Sequence, residues 1–197
     1  VVDSNDNRHI AYYDIGDTAL KYIYYDQQMG SWISPWIPGS SEQGVVDNSQ
    51  DVGNSPSIGI DSDENLHIAY YDNTYTNLKY VKFDGNEWNI SQIDICDCKD
   101  QISLKVDSND NIHIAYSDNN GLKYIENTMG SWHSSFIHNS TQVSNPSIAI
   151  DSNDHIYITY YLGSIDGSSR GLNLAHFDGF SWYKETIIYG DIGLYSE

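Results

Sequence analysis

The stretch DSDENLHIAYYD, from Asp61 to Asp72, decides the fold, because the chain contains it four times in slightly different forms. The other copies are DSNDNRHIAYYD from Asp3, DSNDNIHIAYSD from Asp107 and DSNDHIYITYYL from Asp151. Successive copies start 58, 46 and 44 residues apart. Repetition at this spacing indicates one supersecondary unit in tandem, in which each unit needs its neighbours to bury its faces.

The second copy shows the plan of the unit most clearly. Its segments rich in β-branched and aromatic residues are separated by turns rich in Asp, Asn and Gly, which is the pattern of short antiparallel strands. The predicted strands are Ser57–Asp61, Leu66–Asp72, Leu78–Phe83 and Trp88–Ile95. Four such strands repeated about every 45 residues predict an all-β fold, a β-propeller with four four-stranded antiparallel blades.

The repeats place the four blades in one β-propeller domain that spans 1–197. The approximate blade boundaries are 1–55, 56–101, 102–145 and 146–197. Three arrangements fit this pattern: a four-bladed ring, a part of a larger propeller, or two copies that assemble into a larger ring. The sequence leaves all three open.

The repeated phrase DSxxxxHIAYYD, with LKY and a later Trp in each unit, resembles a class of β-propeller repeats. Such repeats occur in secreted and cell-surface proteins of bacteria and archaea, so the resemblance implies an extracellular or cell-surface location. Two glycosylation sequons, at Asn89 and Asn139, agree with export. The resemblance is specific for the fold and says little about activity, because propellers host many functions.

Charge and hydropathy exclude several classes of partner. The 197 residues include 28 acidic and 9 basic side chains and carry a net charge of −19. Nucleic acids and anionic lipids have the same sign and are not expected as partners. The sequence contains no apolar run long enough to insert into a membrane. Calcium, cationic surfaces and neutral glycans remain as ligand classes.

Two further features recur with the repeats and predict structural contacts. A tryptophan follows the third strand of every unit: Trp32, Trp88, Trp132 and Trp182. We expect these indoles to pack between adjacent blades, and the alternative is a row of sugar-stacking platforms. An acid ends the second strand and a lysine opens the third in three units, which predicts the ion pairs Asp14–Lys21, Asp72–Lys79 and Asp118–Lys123. The fourth unit lacks both partners, having Leu162 and Asn173 instead.

Four residues are candidates for ligand binding. His9, His67 and His113 occupy one repeated position, where Tyr157 stands in the fourth unit. Equivalent positions in successive blades can form a ring that binds a metal or an anion, although a structural hydrogen bond explains the same pattern. Trp36 stands outside the repeated tryptophan position and is a candidate for an exposed, ligand-stacking aromatic residue.

The candidates for a metal site are Asp94, Asp97 and Asp100, whose clustered carboxylates suit calcium. The repeated Asp-rich turns lack the Gly and the distal Glu of an EF-hand, so they are predicted to be turns stabilised by their own side chains. Cys96 and Cys98 are the only cysteines. They fit a local disulfide, a bridge to another chain, a reduced pair or part of a zinc site. No other cofactor is predicted.

Motifs for catalysis are missing from the sequence. A sialidase-like propeller needs three arginines to hold a carboxylate, and this chain has only Arg8 and Arg170. The sequence has no Gly-x-Ser-x-Gly elbow, His-Glu-x-x-His motif or phosphate loop. Its 28 acidic residues make chance carboxylate pairs inevitable, so no single pair stands out for glycoside hydrolysis.

We therefore predict a non-catalytic, extracellular or cell-surface β-propeller that acts in binding or assembly, including adhesion. Its expected partners are a protein or a glycan at the cell surface, and a homo-oligomer or filament is a further option. The alternatives are a glycan-binding lectin and part of a polysaccharide hydrolase or lyase. Recognition is expected in the variable connections 39–54, 94–101 and 163–171, of which the first is the longest.

Overall fold

We describe a computed structural model that covers residues 1–40, 42–98, 101–128, 130–163 and 170–190. All of the regular structure in this part of the chain is β-strand, arranged in four antiparallel four-stranded sheets. A search of these residues finds no helix that could span a membrane. The chain divides into two compact units, 1–96 and 97–197.

The first unit contains two blades. Blade 1 consists of β1 (Arg8–Asp14), β2 (Ala19–Asp26), β3 (Ser31–Ile33) and β4 (Val45–Asp47). Blade 2 consists of β5 (Val52–Ile60), β6 (Leu66–Asp72), β7 (Asn77–Phe83) and β8 (Trp88–Ile95). The strands predicted in the second repeat are confirmed, with β5 starting five residues earlier than expected. In blade 1, β3 and β4 both pair with β2 and together form the outer strand.

The second unit also contains two blades. Blade 3 consists of β9 (Ile102–Val106), β10 (Ile112–Asp118), β11 (Gly121–Thr128) and β12 (Ser131–Asn139). Blade 4 consists of β13 (Val143–Ile150), β14 (Ile156–Leu162), β15 (Gly171–Phe177) and β16 (Trp182–Tyr189). Each of the two sheets has its strands hydrogen-bonded in sequence order.

Adjacent blades within a unit pack through their sheet faces. We call the face toward the preceding blade the leading face and the face toward the following blade the trailing face. In unit 1, the leading face of blade 2 contributes Leu66, Ile68 and Tyr70 to a core that also contains Leu20 and Tyr22 from the trailing face of blade 1. In unit 2, blade 4 packs against blade 3 through the equivalent residues. In blade 4, the core accounts for the alternation of buried and half-buried positions along β14 and β15, whereas every residue of β6 and β10 is buried.

The repeated tryptophan packs between blades, as predicted, in both described blade pairs. The Trp88 ring lies 5.2 Å from the Tyr22 ring of blade 1, measured between centroids, and the Trp182 ring lies 5.2 Å from the Tyr124 ring of blade 3. Trp32 differs, because it contacts Tyr25 of its own blade and is 49% exposed. Trp32 pairs with Tyr25 on the face of blade 1 that does not pack against blade 2.

The three predicted ion pairs are confirmed. The lysine Nζ to aspartate Oδ2 distances are 2.9 Å for Lys21–Asp14, 3.0 Å for Lys79–Asp72 and 3.2 Å for Lys123–Asp118. In blade 4, the side-chain amide of Asn173 instead donates to the Gly171 carbonyl, 2.9 Å away. The lysine and its acid are therefore lost together because each would be left unpaired near the core.

The repeated Asp-Ser turn has two structural roles. Within blade 2, Asp61 Oδ1 accepts hydrogen bonds from the backbone amides of Asp63 and Asn65, which confirms the prediction of a self-stabilised turn. Between blades 1 and 2, the Ser4 amide donates to Glu64 Oε1 over 2.9 Å. The Ser108 amide donates to Asp154 in the same way in unit 2. The turns thus join neighbouring blades.

The packing of Trp88 generates a testable comparison with Trp32, which occupies the same repeat position. Trp88→Ala removes the indole between two blades and is expected to lower the free energy of unfolding by about 3 to 5 kcal/mol. Trp32→Ala removes a half-exposed ring and is expected to cost about 1 kcal/mol or less. Urea unfolding followed by far-UV circular dichroism measures both. Equal losses would contradict the interblade role of Trp88.

Candidate functional site

The repeated histidines are held inside their own blades. His67 Nε2 lies 3.0 Å from Asp61 Oδ2, and His67 Nδ1 lies 2.5 Å from the Tyr80 hydroxyl. Since the carboxylate can only accept, Nε2 carries the proton and Nδ1 accepts from the tyrosine. His9 contacts Asp3 and Tyr22 at the same positions. His113 likewise contacts Asp107 and Tyr124, but the Tyr124 hydroxyl donates to Glu126 Oε2 over 3.1 Å. This geometry favours a structural role, and ligand binding by these histidines stays a prediction.

Blade 4 preserves the contact to the turn with different residues. Tyr157, at the histidine position, donates its hydroxyl to Asp151 Oδ2 over 3.4 Å, and His155 Nδ1 lies 3.2 Å from the same oxygen. The Tyr157 ring stacks on His176 with centroids 4.5 Å apart. Leu174 stands where the other blades have the tyrosine that bonds the histidine. The histidine and its tyrosine are therefore replaced together.

A concave site lies beside the outer strand of blade 1. That strand leaves the sheet after Ile33, which pairs with Tyr24, and returns at Val45, which pairs with Lys21. The eleven-residue segment 34–44 loops out between them, whereas β12 of blade 3 runs through the same region without a break. Gly44 makes the return because its φ is +76° and a Cβ there would lie 2.8 Å from the Tyr22 carbonyl.

The loop and the neighbouring blade enclose a cleft of about 230 Å³, which we call the loop cleft. Its walls come from three segments: the loop, the start of the connection to blade 2, and β8 of blade 2. The lining residues are Ile37, Pro38, Gly39, Ser40, Val45, Val46, Asp47, Asn48, Trp88 and Ile90. All of these residues belong to unit 1. The walls combine apolar side chains with polar groups, among them Ser40, Asp47 and Asn48.

Asp47 is the fixed charge of the loop cleft. Its Oδ2 accepts from the Tyr70 hydroxyl at 2.7 Å and from Lys79 Nζ at 3.1 Å, and its Oδ1 accepts from the Ser49 amide at 2.9 Å. Burial raises the pKa of this carboxyl, but the hydrogen bonds from Ser49, Tyr70 and Lys79 outweigh burial and hold it below the ordinary value. Asp47 is therefore ionised at neutral pH, and it shares Lys79 with Asp72, whose Oδ2 lies 3.0 Å from Nζ.

The remaining walls combine a rigid aromatic ring with exposed groups. Trp88 is clamped by Tyr22 and by Phe83, whose ring centroid is 4.6 Å away. Asn48 and Ile90 are exposed at the edge of the cleft. A ligand in the cleft would contact the Trp88 ring, which is already held in place, and the side-chain amide of Asn48 at the rim.

The equivalent region of unit 2 is filled. Counted from the repeated tryptophan, the position of Ile90 in blade 2 is Lys184 in blade 4. Lys184 Nζ donates to the Ile137 carbonyl of blade 3 over 2.9 Å. At this place unit 1 differs from unit 2 in two ways, by the inserted loop and by Ile90 at the position of a lysine.

Trp36 lies in the loop that forms the cleft. It makes an isolated backbone bridge with Gln43 and its side chain is 66% exposed. Ser40 braces the loop, since its Oγ is 2.8 Å from the carbonyls of both Ile37 and Glu42. The predicted exposure of Trp36 is thus observed, and its role in ligand binding stays a prediction.

The predicted metal ligands have separate partners where they are described. Asp94 Oδ1 accepts from the Ile95 amide, and Asp97 Oδ2 accepts from the Asn119 side chain, each over 2.8 Å. Asp100 lies outside the described residues. Among the residues that the structure describes, no group of three or more His, Cys, Asp or Glu side chains is arranged for a metal ion. Calcium binding stays a prediction.

Of the four cysteine states that the sequence allowed, the structure shows an oxidised one. Cys96 and Cys98 are buried and disulfide-bonded. As the only two cysteines in the chain, they are joined to each other. Neither sulfur is therefore a thiolate for a zinc site.

Sequence reasoning located the loop but missed the cleft. The connection 39–54 was predicted to contact a partner, and it provides six of the ten lining residues. Ile90 was not predicted, although its difference from Lys184 at the matching position is visible in the sequence. Most of the third variable connection, 163–171, lies outside the described residues.

Comparison with known proteins identifies the architecture. The chain is similar to Aleuria aurantia lectin in complex with alpha-methyl-L-fucoside, with a TM-score of 0.65, 13% identity, and coverage of 98% of this chain and 63% of the lectin chain. No protein-family model matches the chain, and neither does any curated protein.

Two further similar structures are named as enzymes. The polysaccharide lyase Uly1 gives a TM-score of 0.56 at 10% identity, over 95% of this chain and 59% of the lyase. A bifunctional GH43-CE protein of Bacteroides eggerthii also gives 0.56, at 8% identity, over 95% of this chain and 27% of its own. The chain thus spans about 60% of the lectin and lyase structures. These likenesses confirm the predicted all-β propeller fold.

The contacts among Asp61, His67 and Tyr80 predict that the free energy of unfolding depends on pH in the acidic range. Burial raises the pKa of Asp61, but hydrogen bonds from Asn65 and His67 outweigh it and place the pKa below the ordinary value. The stabilisation is therefore present above the unfolded aspartate pKa of about 3.9 and is lost as the pH falls below it. Asp61→Asn should cost about 1 to 3 kcal/mol at pH 7, and the difference from wild type should shrink below about pH 4.

Urea unfolding over a series of pH values tests this prediction. Asp63→Asn is the matched control, because Asp63 is an exposed residue of the same turn. A loss in Asp61→Asn that stays constant from neutral to acidic pH would show that the ionised carboxylate is not the source of the stabilisation.

Proposed function

We propose that the protein is a non-catalytic carbohydrate-binding β-propeller and that the loop cleft is its glycan site. The observation that carries the proposal is the cleft itself, with the Trp88 indole beside the aliphatic side chains of Ile37, Val45 and Ile90 and with Asn48 at its rim. Sugars present apolar C–H surfaces and hydroxyl edges, which need this combination of rigid aromatic and polar groups.

The charge of the protein supports a neutral glycan. The net charge is −19, and the fixed charge in the cleft is the ionised Asp47. An anionic sugar would meet unfavourable electrostatic potential at this site, whereas a neutral sugar can donate hydroxyl hydrogen bonds to carboxylate and amide oxygens. The similarity in fold to a lectin bound to alpha-methyl-L-fucoside makes neutral deoxyhexosides the first compounds to test.

The proposal extends to the setting of the protein. The repeat resemblance, the lectin and polysaccharide-degrading neighbours, and the disulfide support a secreted or cell-surface location, where disulfides persist. Binding to a surface glycan would give the protein the adhesive role expected from its sequence. Trp36, exposed on the same loop, is proposed to contact the continuation of a longer glycan outside the cleft.

A glycan array followed by isothermal titration calorimetry tests the proposal, with methyl α-L-fucoside as the first soluble probe. Ile90→Lys gives blade 2 the residue that blade 4 has at this position, Lys184, whose Nζ contacts the neighbouring blade. We expect this variant to bind at least about tenfold more weakly, a loss of about 1.4 kcal/mol. Ile187→Lys, at an exposed position of β16, is the control and should bind as wild type does.

Two results would overturn the proposal. One is an array without any bound neutral glycan, and the other is equal affinity of Ile90→Lys and wild type. Release of reducing ends or unsaturated uronates from a bound polysaccharide would instead favour the enzyme alternative.

A further inference from the structure

A titratable side chain joins the two blades of unit 2. His138, near the end of β12 in blade 3, has its Nδ1 2.8 Å from the hydroxyl of Tyr160 in β14 of blade 4. The two rings meet edge to face, with centroids 5.6 Å apart. Tyr160 is 1% exposed, and its hydroxyl has no second hydrogen-bond partner among the residues that the structure describes. One of the contacts between blades 3 and 4 is therefore a buried hydrogen bond to an imidazole.

Unit 1 makes the matching contact with a carboxylate. Asp47 pairs with Leu20 of blade 1, and His138 pairs with Leu122 at the same repeat position of blade 3. Asp47 accepts from the hydroxyl of Tyr70, which occupies in blade 2 the position of the blade 4 tyrosine. The two units thus form the same bond at the same place, with an acid in one and a histidine in the other.

The strands of blade 4 present a cation to His138. Lys184 of β16 donates from Nζ to the blade 3 carbonyl one residue before the histidine, over 2.9 Å. Beside it, β15 presents the neutral Asn173 opposite Tyr160, and β13 contains no titratable residue. Glu185 follows Lys184 along β16 and so lies on the opposite face of the sheet. Burial and the charge of Lys184 both lower the pKa of His138.

The charged groups of β11, in the same blade as His138, are paired elsewhere. Lys123 lies on the opposite face of the sheet, where it forms an ion pair with Asp118. Glu126 pairs with His133, which is five residues before His138 along β12. The described surroundings of the His138 imidazole therefore oppose a positive charge on it.

Protonation would remove the acceptor that the tyrosine needs. Because the buried Tyr160 hydroxyl has no other described acceptor, it donates to Nδ1 of His138, and the neutral imidazole carries its proton on Nε2. A further proton on Nδ1 sets two donors against each other and leaves the buried hydroxyl unsatisfied. Asp47 in unit 1 keeps its acceptor oxygens over the same range, because its pKa is held below the ordinary aspartate value.

We infer that His138 makes the packing of blade 4 on blade 3 sensitive to mild acid, whereas the equivalent contact in unit 1, built on Asp47, is not. The histidine is neutral in the folded protein, so its stabilising contribution is complete above the unfolded histidine pKa of about 6.5 and is lost as the pH falls below it. Of the two interblade contacts, the one in unit 2 therefore loosens first on acidification. This sensitivity does not depend on the proposed glycan binding.

Urea unfolding of the 197-residue chain between about pH 8 and about pH 5 tests the inference. His138→Asn offers an amide oxygen to the tyrosine and does not titrate. The unfolding constant of wild type, relative to that of His138→Asn, should rise at least about threefold as the pH falls across this range. His133→Asn, at an exposed position of the same strand, is the matched control and should follow wild type at every pH.

Hydrogen exchange read by mass spectrometry locates the effect in the chain. After correction for the intrinsic exchange rate, the amides of β14 should lose protection between about pH 8 and about pH 5, and those of β6, the counterpart in unit 1, should keep it. Tyr160→Phe removes the hydroxyl, so protonation has no hydrogen bond to break and β14 should lose less protection. This variant replaces His138→Asn if the latter is poorly folded by circular dichroism.

The inference fails on either of two outcomes. The same pH dependence of unfolding in wild type and in His138→Asn would show that this imidazole is not the titrating group. Equal loss of protection in β6 and β14 would show that the acid sensitivity belongs to the whole chain and not to the histidine contact.

Discussion

The contact between Trp88 and Tyr22 joins two blades and connects to two further repeated residues, a histidine and an aspartate. Tyr22 supports the indole of the next blade with its ring and donates its hydroxyl to His9, which in turn contacts Asp3 in the turn. The repeated aspartate, histidine, tyrosine and tryptophan thus form one chain of contacts from a turn to the neighbouring blade. Unit 2 repeats it from Asp107 through His113 and Tyr124 to Trp182.

The features that recur in the repeats could be predicted from the sequence. The strands and the Lys79–Asp72 pair recur at fixed spacing, and each is determined by residues in one blade. The loop cleft could not be predicted in the same way, because it joins the 34–48 region to Ile90 across two blades. The sequence showed an insertion of unusual length, and only the packing of the blades shows what the insertion faces.

Substitutions in blade 4 show how tightly these positions depend on one another. Blade 4 has Asn173 where the other blades have the lysine, and Leu162 where they have its acidic partner. It also has Tyr157 where they have the histidine, and Leu174 where they have the tyrosine that contacts it. Each change alone would leave a polar group near the core without its partner, which costs about 1 to 3 kcal/mol. A polar pair in this fold is therefore kept or replaced as a unit.

The most direct test of this account is a double-mutant cycle between Tyr22 and Trp88, using Tyr22→Leu, Trp88→Leu and the double variant. Urea unfolding gives the free energy for each protein, and the cycle isolates the energy of the contact between the blades. The account predicts a coupling of about 1 kcal/mol, as expected for a packed aromatic pair. A coupling of zero within error would show that neighbouring blades do not stabilise each other through these rings.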